Sequence, residues 1–235
     1  QVDRAESERA LAFAVNRDGA ANVATSCGRR SIALIHLSTD YVFDGAKSAP
    51  YLEDDPVAPI NAYGESKAAG EAAVRAHCAR HVIIRTSWLY GVHGQNFVRT
   101  MLRLAGSRDE IAVVGDQWGS PTSAADLAAA ISTIGSRLQA GRGQWGTFHY
   151  CGGGDTTWYG FAQAIMASPR SGLATPPRLR PITTAQYPTP ARRPANSRLD
   201  CGRIESAYGV TRPFWQASLD AVLAELSANN IESSN

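Results

Sequence analysis

The sequence has only four cysteines in 235 residues: Cys27, Cys78, Cys151 and Cys201. None belongs to a C-x-x-C pair, and the intervals between them are wide. So few cysteines in so long a chain do not make a disulfide framework, and a reduced cytoplasm is the simplest compartment they suggest. His77, Cys78 and His81 stand close together, but no second ligand pair lies near them. A zinc site is therefore not supported, and no residue is assigned to a metal. Neither sign of charge is in excess: 23 Lys and Arg face 21 Asp and Glu, a net +2. That excludes the large basic field that wrapping nucleic acid requires. An apolar run of about 18 residues is absent, which leaves no candidate membrane span. The opening residues Gln1-Val2-Asp3-Arg4-Ala5-Glu6 are polar and charged, unlike a signal peptide. Internal repeats and low-complexity tracts are also lacking.

What is present is an ordinary globular composition, 44% hydrophobic and 19% charged, enough for one large domain or a domain with a smaller lobe. Residues 3–27 read as a helix weakened at Gly19. Residues 32–37 are a short apolar run and read as a buried strand. A loop over 38–60 leads to a helix over 61–78 and a second buried strand over 82–86. Helix and strand in alternation predict an α/β fold, a Rossmann-like doubly wound parallel sheet. Further helices are expected over 97–105, 123–138, 158–166 and 214–226, and short strands over 111–114 and 147–150. The proline-rich stretch 176–194 reads as irregular, and 227–235 as a tail. Two domains follow from this reading. The first (1–110) is the remainder of a dinucleotide-binding domain, and the second (111–226) is largely a substrate-binding lobe with elements returning to the sheet.

In such sheets ligands sit beyond the carboxyl ends of the strands. That points to Ser38-Thr39-Asp40-Tyr41 and Ser87-Trp88-Leu89-Tyr90. Near the start of a helix lies Tyr63-Gly64-Glu65-Ser66-Lys67, whose i, i+4 spacing puts the phenol and the ammonium on one face. A nearby ammonium lowers a phenol's pKa, so Lys67 is expected to make Tyr63 a better proton-transfer group. Alone the pair is weak evidence, since many helices carry Tyr and Lys four apart. The hydroxyls of Ser38 and Thr39 at a strand end strengthen it, although turn chemistry would also explain them. Gly152-Gly153-Gly154 lacks the pattern of a phosphate loop and reads as a turn.

A hydroxyl followed by Tyr-x-x-x-Lys resembles the extended, nucleotide-sugar branch of the short-chain dehydrogenases. The likeness narrows with Ser-Thr-Asp-Tyr-Val-Phe-Asp-Gly at 38–45, Arg-Thr-Ser-Trp-Leu-Tyr-Gly at 85–91 and Asn96-Phe97-Val98. Asp116-Gln117-x-Gly119-Ser120-Pro121-Thr122 and Arg193-Pro194-x-Asn196-Ser197-x-Leu199-Asp200 extend it. Together these resemble the dTDP-4-dehydrorhamnose reductase family over nearly the whole chain. The resemblance implies hydride transfer from NADPH or NADH to C4 of dTDP-4-dehydro-L-rhamnose, giving dTDP-L-rhamnose. It implies Tyr63 as proton donor, Lys67 on the nicotinamide ribose, and Thr39 bonded to the reacting oxygen or the phenol. Asp40 would lie beside them, Trp88 would pack on the sugar, and Val2 and Asp3 would line the nicotinamide and substrate. Arg193 and Asn196 would close on the nucleotide, Arg suiting a diphosphate through its planar donors. Asn16 falls near the cofactor side, though solvent exposure explains it equally well. Some members of the family use Mg2+ at a dimer contact. Mg2+ and a homodimer are therefore further expectations, without assigned ligands.

One departure stands out. No Gly-rich dinucleotide turn occurs upstream of Ser38, although such a reductase needs one for the pyrophosphate. The expectation is an N-terminally truncated sequence lacking about two βα units of ~30 residues each. As given, it should bind cofactor poorly and expose a sheet edge. Two other readings compete. One is another epimerase or ketoreductase acting on nucleotide sugars. The other is a non-enzymatic protein like the regulatory subunit of methionine adenosyltransferase, which lacks the Trp of Arg-Thr-Ser-Trp.

Overall fold

The structure, a computed structural model, describes residues 2–232. The helical start comprises α1 (Val2–Ser7), α2 (Arg9–Phe13), a π-helical turn (Ala14–Gly19) and α3 (Ala20–Arg29). Strand β1 (Leu34–Thr39) leads through a 3-10 turn (Asp40–Val42) and a long loop to α4 (Ala62–His77) and β2 (His81–Thr86). There follow β3 (Leu89–Tyr90), α5 (Phe97–Ala105), β4 (Glu110–Val114), β5 (Trp118–Gly119), β6 (Thr122–Ser123) and α6 (Ala124–Gln139). The remainder is β7 (Gly146–His149), β8 (Thr156–Thr157), α7 (Trp158–Ala167), β9 (Arg178–Ile182), α8 (Gly202–Tyr208) and α9 (Trp215–Glu232). No helix among the described residues is long and apolar enough to cross a membrane.

The chain divides into two compact units. The first is Gln1–Ser87, Ala129–Tyr150 and Thr189–Thr211; the second is Trp88–Ala128, Cys151–Pro188 and Arg212–Asn235. The sequence reading divides the chain at 110/111 with later elements returning to the sheet; in the structure Ala129–Tyr150 and Thr189–Thr211 belong to the first unit.

In the first unit β1, β2 and β7 form a parallel sheet in the order β1-β2-β7, the α/β layering that the alternation predicts. Leu34 pairs with His81 and Thr39 with Thr86. The run Val82-Ile83-Ile84 is fully buried, as a central parallel strand demands. Ala20 and Ala24 of α3 and Val74 of α4 pack with Ile83 and Cys78 in one apolar cluster.

In the second unit β4 pairs β9 in parallel, β3 pairs β6 in parallel, and β5 pairs β8 antiparallel. Its core is aromatic, with Tyr90, Phe161 and Trp215 buried among Val98, Met101, Ile165 and Leu223.

The differences from the sequence reading have local causes. The Ile32 N–H bonds the Cys27 carbonyl at 3.0 Å, finishing the helix end, so β1 begins two residues later. The stretch 176–194 contains β9, despite Pro181. A two-stranded sheet leaves an outer side on which proline's missing N–H costs nothing. Helix α9 continues past Leu226 because Ser227 Oγ returns to the Leu223 carbonyl at 3.0 Å and reaches the Arg170 carbonyl at 2.8 Å. The expected tail is therefore helical through Glu232, and its last residues, 233–235, lie outside the described residues.

Candidate active site

Helix α4 is fixed at its start by three polar contacts. Asn61 Oδ1 accepts the Gly64 N–H at 2.8 Å, a side-chain N-cap. A carboxylate oxygen of Glu6 accepts the Ala62 N–H at 2.8 Å, which also suits the positive end of the helix dipole. Asn61 Nδ2 donates to the Arg192 carbonyl at 2.8 Å. Gly64 matters by what it lacks: a Cβ there would stand 2.1 Å from the Tyr41 carbonyl oxygen. The missing side chain lets the first turn of α4 close on the 3-10 turn that carries Asp40.

Tyr63 and Lys67 therefore face the carboxyl end of β1. Lys67 Nζ donates to the Leu37 carbonyl at 2.7 Å. The Tyr63 ring meets Tyr41 edge-on, with centroids 5.7 Å apart. Thr39 Oγ1 donates to Asp40 Oδ1 at 3.0 Å and accepts the Tyr41 N–H at 3.2 Å. A groove of about 330 Å³ ends at Tyr63 and is lined by Ala5, Leu11, Val15 and Asn16. A second groove shares Val15 and Asn16 and reaches Lys67 and His36.

The electrostatics differ from the sequence expectation. Burial, and then the Asp40 charge, push the Tyr63 phenol above its ordinary value, with the Thr39 hydroxyl acting the other way. Lys67 is itself shifted down by burial, which the Glu71 carboxylate partly opposes. The ammonium is spent on the Leu37 carbonyl, so it does not make Tyr63 more acidic. The phenol is a firmly protonated donor, the state that a reduction requires of its acid.

Burial raises Asp40 to about 6, against the Ser197 and Thr39 hydroxyls, which lower it. Its Oδ2 is buried without a hydrogen-bond partner. The folded pKa lies above the ordinary 3.8, so the stability tied to this proton is complete below that value. It is lost as pH rises through about 6. The charged form costs about 3 kcal/mol at full ionisation. Asp40→Asn, which cannot ionise, should melt higher than wild type at about pH 8 and show no such gain at about pH 4. A melting-temperature difference that ignores pH would remove this reading of Asp40.

The other expected residues separate. Asp3 and Arg193 are brought together near Tyr41. Arg193 Nη2 meets Asp3 Oδ2 at 2.8 Å, the Ala191 N–H donates to Asp3 Oδ1 at 3.1 Å, and the guanidinium lies 6.0 Å from the Tyr41 ring. Here Arg193 is an internal partner of Asp3. Val2 opens α1 and is half-buried, whereas Ala5, one turn on, lines the groove.

Asn196 is engaged by the polypeptide itself. Its Nδ2 donates to the Lys47 and Ala49 carbonyls, both at 2.8 Å, and its Oδ1 accepts from Arg198 N and Nε. With both donors and its acceptor engaged it clamps a loop, because the polypeptide itself satisfies the amide. Asn16 sits in the π-helical turn and donates to Ser66 Oγ at 2.9 Å. Trp88 belongs to the second unit. Among the described residues no cluster of three or more His, Cys, Asp or Glu is arranged around a metal ion.

A buried ion pair escaped the sequence reading. Glu71 accepts from Arg85 Nε at 2.8 Å and Nη2 at 2.7 Å, and from Ser38 Oγ at 2.6 Å. The signal was available, since Glu71 continues the face of Tyr63 and Lys67 at the same interval of four.

Comparison with known proteins shows the family. The family described as RmlD substrate binding domain matches residues 1–228. The dTDP-4-dehydrorhamnose reductase of Sinorhizobium fredii (strain NBRC 101917 / NGR234) is 48% identical over 219 residues, 92% of this chain and 74% of that protein. A crystal structure of the dTDP-4-dehydrorhamnose reductase of Clostridium acetobutylicum ATCC 824 superposes with a TM-score of 0.89 at 37% identity, covering 96% of this chain and 77% of that one. The reductase of Bacillus anthracis str. Ames, solved in complex with NADP, gives 0.87 at 38% identity, with coverage of 96% and 77%. A match of this length and identity places the chain in the dTDP-4-dehydrorhamnose reductase family.

Proposed function

We propose that the protein reduces the C4 keto group of dTDP-4-dehydro-L-rhamnose to a hydroxyl, forming dTDP-L-rhamnose. One observation carries the reading: a protonated phenol and a half-buried ammonium, one helical turn apart, face a strand-end hydroxyl. Reduction needs a hydride, which is the chemistry a reduced nicotinamide supplies when bound. NADPH is the first choice, because the Bacillus anthracis relative was solved with NADP. The two adjoining grooves, reaching Tyr63 and Lys67, fit a flat ring and its ribose.

In this reading Tyr63 gives its proton to the C4 oxygen as that oxygen gains charge, the work of a general acid. Its raised pKa keeps the proton in place until then. Thr39 bonds the same oxygen or the phenol, and Asp40 lies beside it. Lys67, anchored on the Leu37 carbonyl, holds the nicotinamide ribose. Val2, Asp3 and Arg193 line the approach, and Trp88 contributes its indole to the sugar's surroundings.

The test is to mix the full-length protein with the 4-keto nucleotide sugar and NADPH, with NADH in a parallel run. The expected result is stoichiometric loss of reduced nicotinamide and formation of the 4-hydroxy sugar. An altered sugar with no net loss of nicotinamide would make the protein an epimerase. No turnover, with co-purification of a methionine adenosyltransferase, would make it a regulatory subunit.

A further inference from the structure

Trp88 has a left-handed backbone, with φ at 48°. For a bulky side chain this is a genuine outlier, and such strain persists only where the surroundings over-determine it. Three contacts do so within the second unit. The Thr122 N–H bonds the Trp88 carbonyl at 3.2 Å. The indole stacks on Trp158 with centroids 3.6 Å apart and planes 11° apart. Gly119 lies over the other indole face, where a Cβ would stand 2.4 Å from Cε2 and 2.8 Å from both Cζ2 and Nε1.

These supports are themselves rigid. Pairing of β5 with β8 sets Gly119 opposite Thr156 and Trp118 opposite Thr157. Thr157 caps α7 by accepting the Gly160 N–H at 3.1 Å, and Trp158 is the first residue of that helix. Behind it the Phe97 ring lies 4.7 Å away and in turn stacks on Phe161 at 5.4 Å.

We propose that Trp158 and Gly119 are positioning residues that hold the Trp88 indole in one orientation for a sugar ring. One indole face is taken by Trp158 and the other by Gly119, so a ligand meets the partly exposed indole at its rim. An indole already fixed loses little freedom on binding, which is where preorganised sites gain affinity. Removing the support then weakens capture of the nucleotide sugar and leaves the proton and hydride steps alone. This rests on the reading that Trp88 contacts the sugar.

The experiment compares Trp158→Leu, Trp158→Phe, Gly119→Ala and Trp88→Ala in the full-length protein by steady-state kinetics. Trp158→Leu keeps an apolar side chain without a ring. It should raise KM for the nucleotide sugar by roughly tenfold, the upper range of an aromatic pair, with kcat and the nicotinamide KM within about twofold. Trp158→Phe, which can still stack, should restore most of the loss. Gly119→Ala should mimic Trp158→Leu and disturb the near-ultraviolet circular dichroism of the coupled indoles. Equal KM in wild type and Trp158→Leu, with KM raised in Trp88→Ala, overturns the positioning role alone. Unchanged KM in Trp88→Ala removes the reading of Trp88, and this inference with it.

Discussion

Tyr63→Phe keeps the fold and loses turnover by at least about 100-fold, the low end of what a general acid contributes. The substitution removes one oxygen and leaves the ring. The edge-on contact with Tyr41 and the groove lined by Ala5, Leu11 and Val15 do not need the hydroxyl. Melting should therefore stay near wild type, because the ring and its contact with Tyr41 are kept. What goes is the proton. Thr39 cannot replace it, since its hydroxyl is a far weaker acid and its own proton is engaged with Asp40 Oδ1. Lys67 donates to a carbonyl two residues before Thr39. The measurement is steady-state turnover beside a thermal melt. Turnover within about threefold of wild type in a folded variant would discard Tyr63 as the acid.

Glu71→Ala should destabilise the protein by about 3–5 kcal/mol, the cost of leaving a buried charge alone. Glu71 is 0% exposed and Arg85 2%, and the two share a bidentate contact. Without the carboxylate, Arg85 keeps the Glu53 carbonyl at 3.2 Å and the Phe43 ring at 5.0 Å. Replacing both partners with apolar residues of similar size should recover much of the loss, because neither desolvation cost then remains. Burial pushes Glu71 up, but the Arg85 hydrogen bonds and charge outweigh it and leave the carboxyl below its ordinary 4.5. The contribution is therefore complete above that value and is lost as pH falls through the lower folded one. Urea titrations of wild type, Glu71→Ala and the apolar double variant check all three statements. A single variant as stable as wild type at neutral pH would show that the pair does no structural work.

Much of the fold was legible because its signals are local. Asn61 before an alanine-rich run marks the start of α4, and the run 82–84 marks a buried strand. The alternation of the two elements gives the parallel sheet. The candidate site was legible for the same reason: Tyr63 and Lys67 share a helix face, and Thr39 ends a strand. What stayed hidden depends on partners remote in sequence. Asn196 has the chemistry of a ligand residue, but the carbonyls of residues 47 and 49 consume it. Arg193 suits a diphosphate, yet Asp3 neutralises it from the other end of the chain. Proline argued against a strand at 178–182, and only the presence of β4 as sole partner makes Pro181 tolerable. The raised phenol pKa also needed coordinates, since a sequence gives Lys67's spacing from Tyr63 but not the carbonyl that receives its ammonium.

The polypeptide crosses between its two compact units five times, each unit being assembled from three separate stretches. No single cut can release either as a continuous piece, and every junction splits at least one of them. A single crossover with a related gene therefore cannot replace one unit and keep the other whole; an exchange of one unit takes five coordinated junctions.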